Sequence, residues 1–427
     1  MISIEPKRHP IMGRITLPGS KSMTNRALMM AAAAKGISHL DSFLKCDDSY
    51  WCIQALRQLG VNIYEEGDSL TVIGRGEWVE PKKSLFVGSA GTTGRFLTSM
   101  LALSTTVSMC LGASEQLMKR PMKPLLDALM TLGATISYEG VMGCFPLTIR
   151  PRQQGCSSVT LSGAQSSQFI SGLLMACPFL PHATEIIVEN GIVQSDYVAM
   201  TIAMMKSFGI SIKASLAMDR FTVLPGLYRP TDYSIEADAS TASYFLALAA
   251  VTGGEICLSN LRYDTLQPDI QFLSILERMG CEVDVMSRGI ILNGPAQLKG
   301  GFSVDMKTCS DVALTLAALA PFADKPIEIR GVEHIRKHES DRLSVMAEAL
   351  RRLGIQVEEY SDGLKIYPGK PQKREINSHD DHRMAMSLAV LGVAGPGIEI
   401  SNPGCVSKTC PSFFEELRKL GITVHER

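Results

Sequence analysis

AEALRRLGIQVEE, Ala347 to Glu359, sets two structural signals around one glycine. Up to Leu353 the apolar residues recur at helical spacing; beyond Gly354 they alternate with polar ones. The stretch predicts a helix closed by a left-handed glycine, then a half-buried strand. It is one of six copies. The others are ALRQLGVNIY from Ala55, LLDALMTLGATISY from Leu125, MMKSFGISIK from Met204, ILERMGCEVDV from Ile275 and FFEELRKLGITVHE from Phe413. Their glycines, Gly60, Gly133, Gly209, Gly280, Gly354 and Gly421, lie roughly 70 residues apart, the mark of a repeated supersecondary unit.

Between the copies a second element recurs, a small polar cluster that opens an Ala/Leu/Met-rich helix. The clusters begin GSKSMTNR at Gly19, GSAGTTGR at Gly88, SGAQSSQF at Ser162, EADASTAS at Glu236, KTCSDVAL at Lys307 and SHDDHRMA at Ser378. Their Ser, Thr, Asp and Gly residues suit N-caps, and the helices behind are apolar nearly all round, so they should be buried. A helix mouth carries unpaired N–H groups and roughly half a positive charge. Six mouths facing one cleft would attract anions. The sixth unit stops soon after Gly421, and the strand-like ISIE and GRITL near the N-terminus could supply its missing strands. The expected division is therefore 1–19 plus 237–427 as one domain, holding both chain ends, and 20–236 as the other. The two crossovers form a natural hinge. A single open α/β sheet is the alternative, disfavoured because no Rossmann fingerprint is present.

The 427 residues carry 42 Lys+Arg against 43 Asp+Glu, a net charge of -1, which gives no electrostatic case for a nucleic-acid or polybasic membrane protein. Uninterrupted apolar runs reach about half the ~18 residues of a membrane span. The N-terminus resembles neither a signal nor a transit peptide. Eleven scattered cysteines without a CxxC pair argue for buried thiols in a reducing compartment. A soluble, cytoplasmic protein is expected.

Several motifs carry charge where chemistry could use it. GSKSMTNR misses the phosphate-binding GxxxxGK[ST] because Ser20 separates Gly19 from Lys21, so a nucleotide site is rejected; Lys21 and Arg26 on a helix start remain an anion site. GSAGTTGR packs three glycines where backbone could approach a ligand closely. LMKRPMKPL, with Lys119, Arg120 and Lys123, reads more simply as a solvated face. RKHESDR, Arg336 to Arg342, is either a salt-bridged helix face or a set of acids held ionised among cations. DDHR, Asp380 to Arg383, stands on an apolar helix that offers its charges no solvated face. A metal at His379 and His382 is disfavoured, since no further His or Cys is patterned beside them.

Taken in order along the chain, LPGSKSMTNRALMMAA, GSAGTTGR, MKRP, SSQF, EADASTASYFLA, SDVALT, RKHESDRL, DDHRMAM and CVSKT resemble the 5-enolpyruvylshikimate-3-phosphate synthases of the enolpyruvyl transferase family. The resemblance covers essentially the whole chain. It implies an α/β two-domain fold with three βαβαββ units per domain and the site in the interdomain cleft. It also implies transfer of an enolpyruvyl group from phosphoenolpyruvate to the 5-hydroxyl of 3-phosphoshikimate, without cofactor or metal. By matching motifs, Asp311 would take the hydroxyl proton, and Glu339 with Lys21 would handle protons at the methylene and phosphate. Phosphoenolpyruvate would meet Lys21, Gly91, Arg120, Gln168, Arg342, Arg383 and Lys408. Phosphoshikimate would meet Lys21, Ser22, Arg26, Ser166, Ser167, Gln168, Tyr197 and Asp311, with His382 in support. The resemblance further implies a monomer that glyphosate inhibits.

The chain departs from the family pattern on the acceptor side. Ser89 stands where Asn is frequent, Gln194 where a phosphate-contacting Ser is usual, and His334 and His338 where Asn and Lys touch phosphoshikimate. An enolpyruvyl transferase for another phosphorylated alcohol is therefore an alternative, and a non-catalytic anion-binding module a second. The UDP-N-acetylglucosamine branch is disfavoured because Cys110 lies ten residues before Arg120, too early for that branch's reactive Cys.

Overall fold

The computed structural model describes residues 1–7, 9–287 and 289–426. Met1–Pro18 with Glu236–Arg427 form one compact unit, discontinuous in sequence; Gly19–Ile235 form a second, continuous one. Among the described residues there are six four-stranded sheets, three in each unit, all of one pattern: a parallel pair followed by two antiparallel neighbours. In the continuous unit Ser158–Ser162 runs parallel to Thr184–Glu189, with Val159 opposite Ile186. Ile186 then faces Phe221 of Arg220–Val223 in antiparallel register, and Phe221 faces Ala214. Val159, Leu161, Ile186, Val188, Phe221 and Val223 are buried on one face, which is the period-two signature of a half-covered sheet.

The repeated glycines close the helices between those strands. Gly60, Gly133, Gly209, Gly280, Gly354 and Gly421 have φ of 88, 97, 85, 95, 84 and 72°, a region where a Cβ is strained.

Each unit is built around three helices. Lys21–Ala33, Gly91–Ser104 and Ser167–Ala176 serve the continuous unit; Ala239–Thr252, Ala313–Leu319 and His382–Ala394 serve the other. All residues from Gly91 to Leu103 are buried, as the all-round apolar pattern requires. Close packing depends on small residues: a Cβ on Gly172 would lie 2.5 Å from Ser99 Oγ. Met29, Leu101 and Leu173 belong to one core, Phe245, Leu316 and Leu388 to the other. Each such side chain contributes roughly 1.5–3 kcal/mol by burial.

Four of the six helix mouths are capped as the clusters suggest. Ser20, Ser166, Asp238 and Asp381 accept from the backbone N–H of Met23, Gln168, Thr241 and Arg383. The other two differ. Ala90, with no side-chain acceptor, precedes Gly91, and a 3-10 turn, Ser310–Val312, leads into Ala313–Leu319.

Three sheets are completed from distant chain. Tyr233–Ser234 pairs with Lys35–Asp41, and Met12–Ile15 pairs with Glu255–Leu258, both in parallel. Ile2–Ile4 inserts between Ile398–Ser401 and Val424–Glu426, antiparallel to each, supplying the strand that the truncated sixth copy lacks.

Candidate active site

In the discontinuous unit the helix mouths gather acids and bases. Asp311 lies in the 3-10 turn before Ala313, and Arg383 in the first turn of its helix. Arg383 Nη2 stands 2.8 Å from Asp311 Oδ2, and its Nη1 donates to the Asp311 carbonyl at 3.0 Å. Arg342 opens the helix Arg342–Arg352 and is 1% exposed. Its Nε and Nη2 donate to Asp381 at 2.8 and 3.3 Å, and Nη2 also donates to Glu339 at 2.8 Å. Its Nη1 reaches Asp311 Oδ1 at 3.4 Å and His338 Nδ1 at 3.0 Å. The other Glu339 oxygen lies 3.0 Å from Lys408 Nζ.

Burial works against the charge of Arg342, but Asp381 and Glu339 outweigh it and hold its pKa above the ordinary arginine value. Three carboxylates, Asp311, Glu339 and Asp381, thus face three cations, Arg342, Arg383 and Lys408. His334 is a neutral donor or acceptor here rather than a further cation. Arg342 can only donate, so His338 Nδ1 presents a lone pair. His334 Nε2 is 2.7 Å from Ser310 Oγ, and burial pushes its pKa down to about 4. His382 is buried beside Asp381, Nδ1 to Oδ1 3.8 Å.

The continuous unit presents a different set. Lys21 begins its helix with Nζ 3.7 Å from Asp48 Oδ2. Arg26, one turn on, is 2% exposed; its Nε donates to Thr201 at 2.7 Å and its Nη1 to the Ser22 carbonyl at 2.9 Å. The guanidinium lies 4.9 Å from the Phe96 ring centroid, and Nη2 makes a long bond, 3.4 Å, to the Tyr197 carbonyl. Burial lowers the Arg26 pKa to about 10, which leaves it charged at neutrality. Ser166 caps the helix that Ser167 and Gln168 open. Gln168 accepts from Arg95 Nη1 at 2.6 Å and donates to Thr92 Oγ1 at 3.3 Å. A Cβ on Gly91 would lie 3.1 Å from Nη1 of both Arg120 and Arg95, so the bare glycine leaves room for two guanidinium groups over the helix mouth. Gln194 sits at the N-cap of Ser195–Ser207 in left-handed backbone, φ 53° and ψ 49°, and its side chain is buried.

Two charged motifs divide between surface and site. Of LMKRPMKPL, Lys119 and Lys123 are exposed, with Lys123 paired to Asp127, whereas Arg120 turns towards Gly91. RKHESDR is not one helix face: a 3-10 turn ends at Lys337, and Asp341 caps a new helix. Arg336 braces Asp341 and Glu359 on the outside, while Arg342 and Glu339 are turned inward. The sequence motifs DDHR and GSAGTTGR contain Asp381 and Arg95 but give neither a role of its own, and Asp48 lies in no motif. Asp381 is signalled as an acid before an apolar helix; in GSAGTTGR the glycines draw the eye rather than Arg95, and Asp48 has no local signal.

A family profile described as EPSP synthase (3-phosphoshikimate 1-carboxyvinyltransferase) matches residues 6–417. The chain belongs to this family. A relative from Halalkalibacterium halodurans, 3-phosphoshikimate 1-carboxyvinyltransferase 2, is 49% identical across 99% of this chain and 95% of its own length. The 3-phosphoshikimate 1-carboxyvinyltransferase of Nostoc punctiforme is 41% identical over 97% of each chain. Among solved structures, an EPSP synthase from Acinetobacter baumannii superposes with a TM-score of 0.84 at 27% identity, covering 100% of this chain and 99% of that one. The EPSP synthase fold is thus shared along the full length, and no described helix is long and apolar enough to cross a membrane.

Proposed function

We propose that this chain transfers the enolpyruvyl group of phosphoenolpyruvate to the 5-hydroxyl of 3-phosphoshikimate, releasing phosphate, as its EPSP synthase family does. The observation that carries the mechanism is Asp311, a carboxylate set between Arg342 and Arg383 with Glu339 one arginine away.

In the resting site the Arg342 N–H groups are all directed at internal acceptors, of which Asp311 is the most distant at 3.4 Å. The carboxylate of phosphoenolpyruvate, bound by Arg342 and Arg383, displaces Asp311 from Arg342, whereas Arg383 keeps its contacts to the Asp311 carboxylate and carbonyl. That exchange frees Asp311 to accept the proton of the acceptor hydroxyl as its oxygen bonds to the second carbon of the enol. The methylene takes a proton from Lys21, or from Glu339 once that acid has taken up a proton as phosphoenolpyruvate binds, to give a tetrahedral intermediate; the same group then takes a methyl proton back. Cleavage of the carbon–oxygen bond to phosphate, with loss of a methyl proton, then restores the enol.

Lys21, Gly91, Arg120, Gln168 and Lys408 hold the phosphate end, where fixed cations and amides offset charge that grows on the leaving group. Ser22, Arg26, Ser166, Ser167, Gln168, Gln194, Tyr197, Asp311, His334 and His338 receive phosphoshikimate, with His382 supporting Asp381. These residues come from both units, so turnover is expected to need both. Glyphosate, an anion with a carboxylate and a phosphonate, should compete with phosphoenolpyruvate. Within this reading the enzyme works as a cytoplasmic monomer.

Phosphate release from phosphoenolpyruvate on adding 3-phosphoshikimate tests the proposal, with other phosphorylated alcohols as parallel acceptors. No turnover with 3-phosphoshikimate would overturn it.

A further inference from the structure

Asp269 takes no part in the chemistry above, yet it is built into the same site. It lies in the 3-10 turn Pro268–Gln271 and is 2% exposed. That turn is tied to two helix mouths. Gln267 accepts from the Ala239 N–H at 3.1 Å and donates to the Ala237 carbonyl at 2.7 Å; Gln271 accepts from Thr308, just ahead of Asp311, at 2.9 Å. Ser240 Oγ donates a hydrogen bond to Asp269 Oδ2. The same hydroxyl oxygen lies 3.5 Å from Arg383 Nη2, and that nitrogen is 2.8 Å from Asp311 Oδ2. Asp269, Ser240, Arg383 and Asp311 therefore form a continuous relay through the mouths of all three central helices of the discontinuous unit.

We propose that Asp269 is a positioning residue for Asp311, acting through Ser240 and Arg383. This rests on Asp311 being the proton acceptor. A serine that gives its proton to Asp269 turns its lone pairs towards Arg383, which fixes the guanidinium from behind. An ionised Asp269 also shares the positive charge of Arg383 and so raises the proton affinity of Asp311; a protonated one does not.

The charged groups facing Asp269 are Asp238 at the N-cap of Ala239–Thr252, Asp311 from the 3-10 turn and Arg383 from the His382 helix. Burial pushes the Asp269 carboxyl up to about 7, with Asp311 adding to the rise and Arg383 and the Ser240 bond opposing it. The Asp269 carboxyl therefore holds its proton to higher pH than an exposed aspartate does.

The test uses Asp269→Asn, Ser240→Ala and Asp311→Asn, with kcat and KM measured from pH 5.5 to 9 and melting temperatures in parallel. Asp269→Asn should lower kcat tenfold or more, hold both KM values within about threefold, and erase an inflection near neutrality in the kcat profile. Ser240→Ala, with a native melting temperature, should lower kcat severalfold and displace that inflection. Wild-type kcat in Asp269→Asn, or a loss that leaves the inflection in place, overturns the proposal. If Asp269→Asn does not fold, Ser240→Ala decides alone: an unmoved profile refutes it. Wild-type turnover in Asp311→Asn instead refutes the functional reading on which the proposal stands.

Discussion

His334 should make the discontinuous unit sensitive to acid, and His334→Asn should remove that sensitivity. Burial drives its pKa from 6.5 in the unfolded chain to about 4 in the folded one. A base whose folded pKa is depressed binds its proton first in the unfolded chain. Its contribution is intact above pH 6.5 and is lost as pH falls towards 4; below that both states are protonated and the loss stops growing. Linkage puts the loss at about 2 kcal/mol by pH 5 and about 3 kcal/mol by pH 4. Asparagine keeps a hydrogen-bonding group near Ser310 and has nothing to titrate. Denaturant unfolding of both proteins from pH 8 to pH 4, followed by a probe in the discontinuous unit, gives the difference in stability directly. The wild type should lose ground to His334→Asn by about those amounts. A difference that stays flat across the range would show that His334 is not held neutral by burial, and the reasoning would fail.

Asp311→Asn should lower kcat by about 10²–10⁴-fold while both substrates still bind, since the amide keeps the shape and loses the base; near-normal turnover would refute the assignment. Gly74→Ala should cost roughly 1–3 kcal/mol, because a Cβ there would lie 2.1 Å from the Ala34 carbonyl and 2.6 Å from that of Ala31, backbone that cannot swing away; an unshifted denaturation midpoint would contradict it. Phosphoenolpyruvate should bind with proton uptake near pH 7, since an anion entering a set of three acids and three cations raises the proton affinity of the acids. Calorimetry in buffers of different ionisation enthalpy reads this, and a buffer-independent heat refutes it.

The repeat was legible because its signals are local. A glycine after a helical run, and a polar cluster before an apolar one, each occupy a dozen neighbouring residues. The partners inside the site were not, because they meet through the fold: Arg342 finds Asp381 39 residues on, and Arg95 finds Gln168 73 residues on. The same distance effect split RKHESDR. Arg336 and Arg342 look equivalent in sequence, and only the break at His338 sends one outward to Glu359 and the other inward to Asp381. Asp269, in QPDIQ, reads as an ordinary helix-start acid. Nothing nearby in the chain reveals that Ser240 and Arg383 lie behind it.

The strand Ile2–Ile4 has a consequence for biosynthesis. It leaves the ribosome long before both its neighbours, Ile398–Ser401 and Val424–Glu426. Gly19–Ile235 has its three sheets complete once Tyr233–Ser234 has been made, and can fold while translation continues. The amino-terminal strand must wait through that whole interval with its apolar face and backbone unpaired. Loss of its few residues would remove an interior strand rather than trim an edge, and aggregation of nascent chains is the penalty to expect.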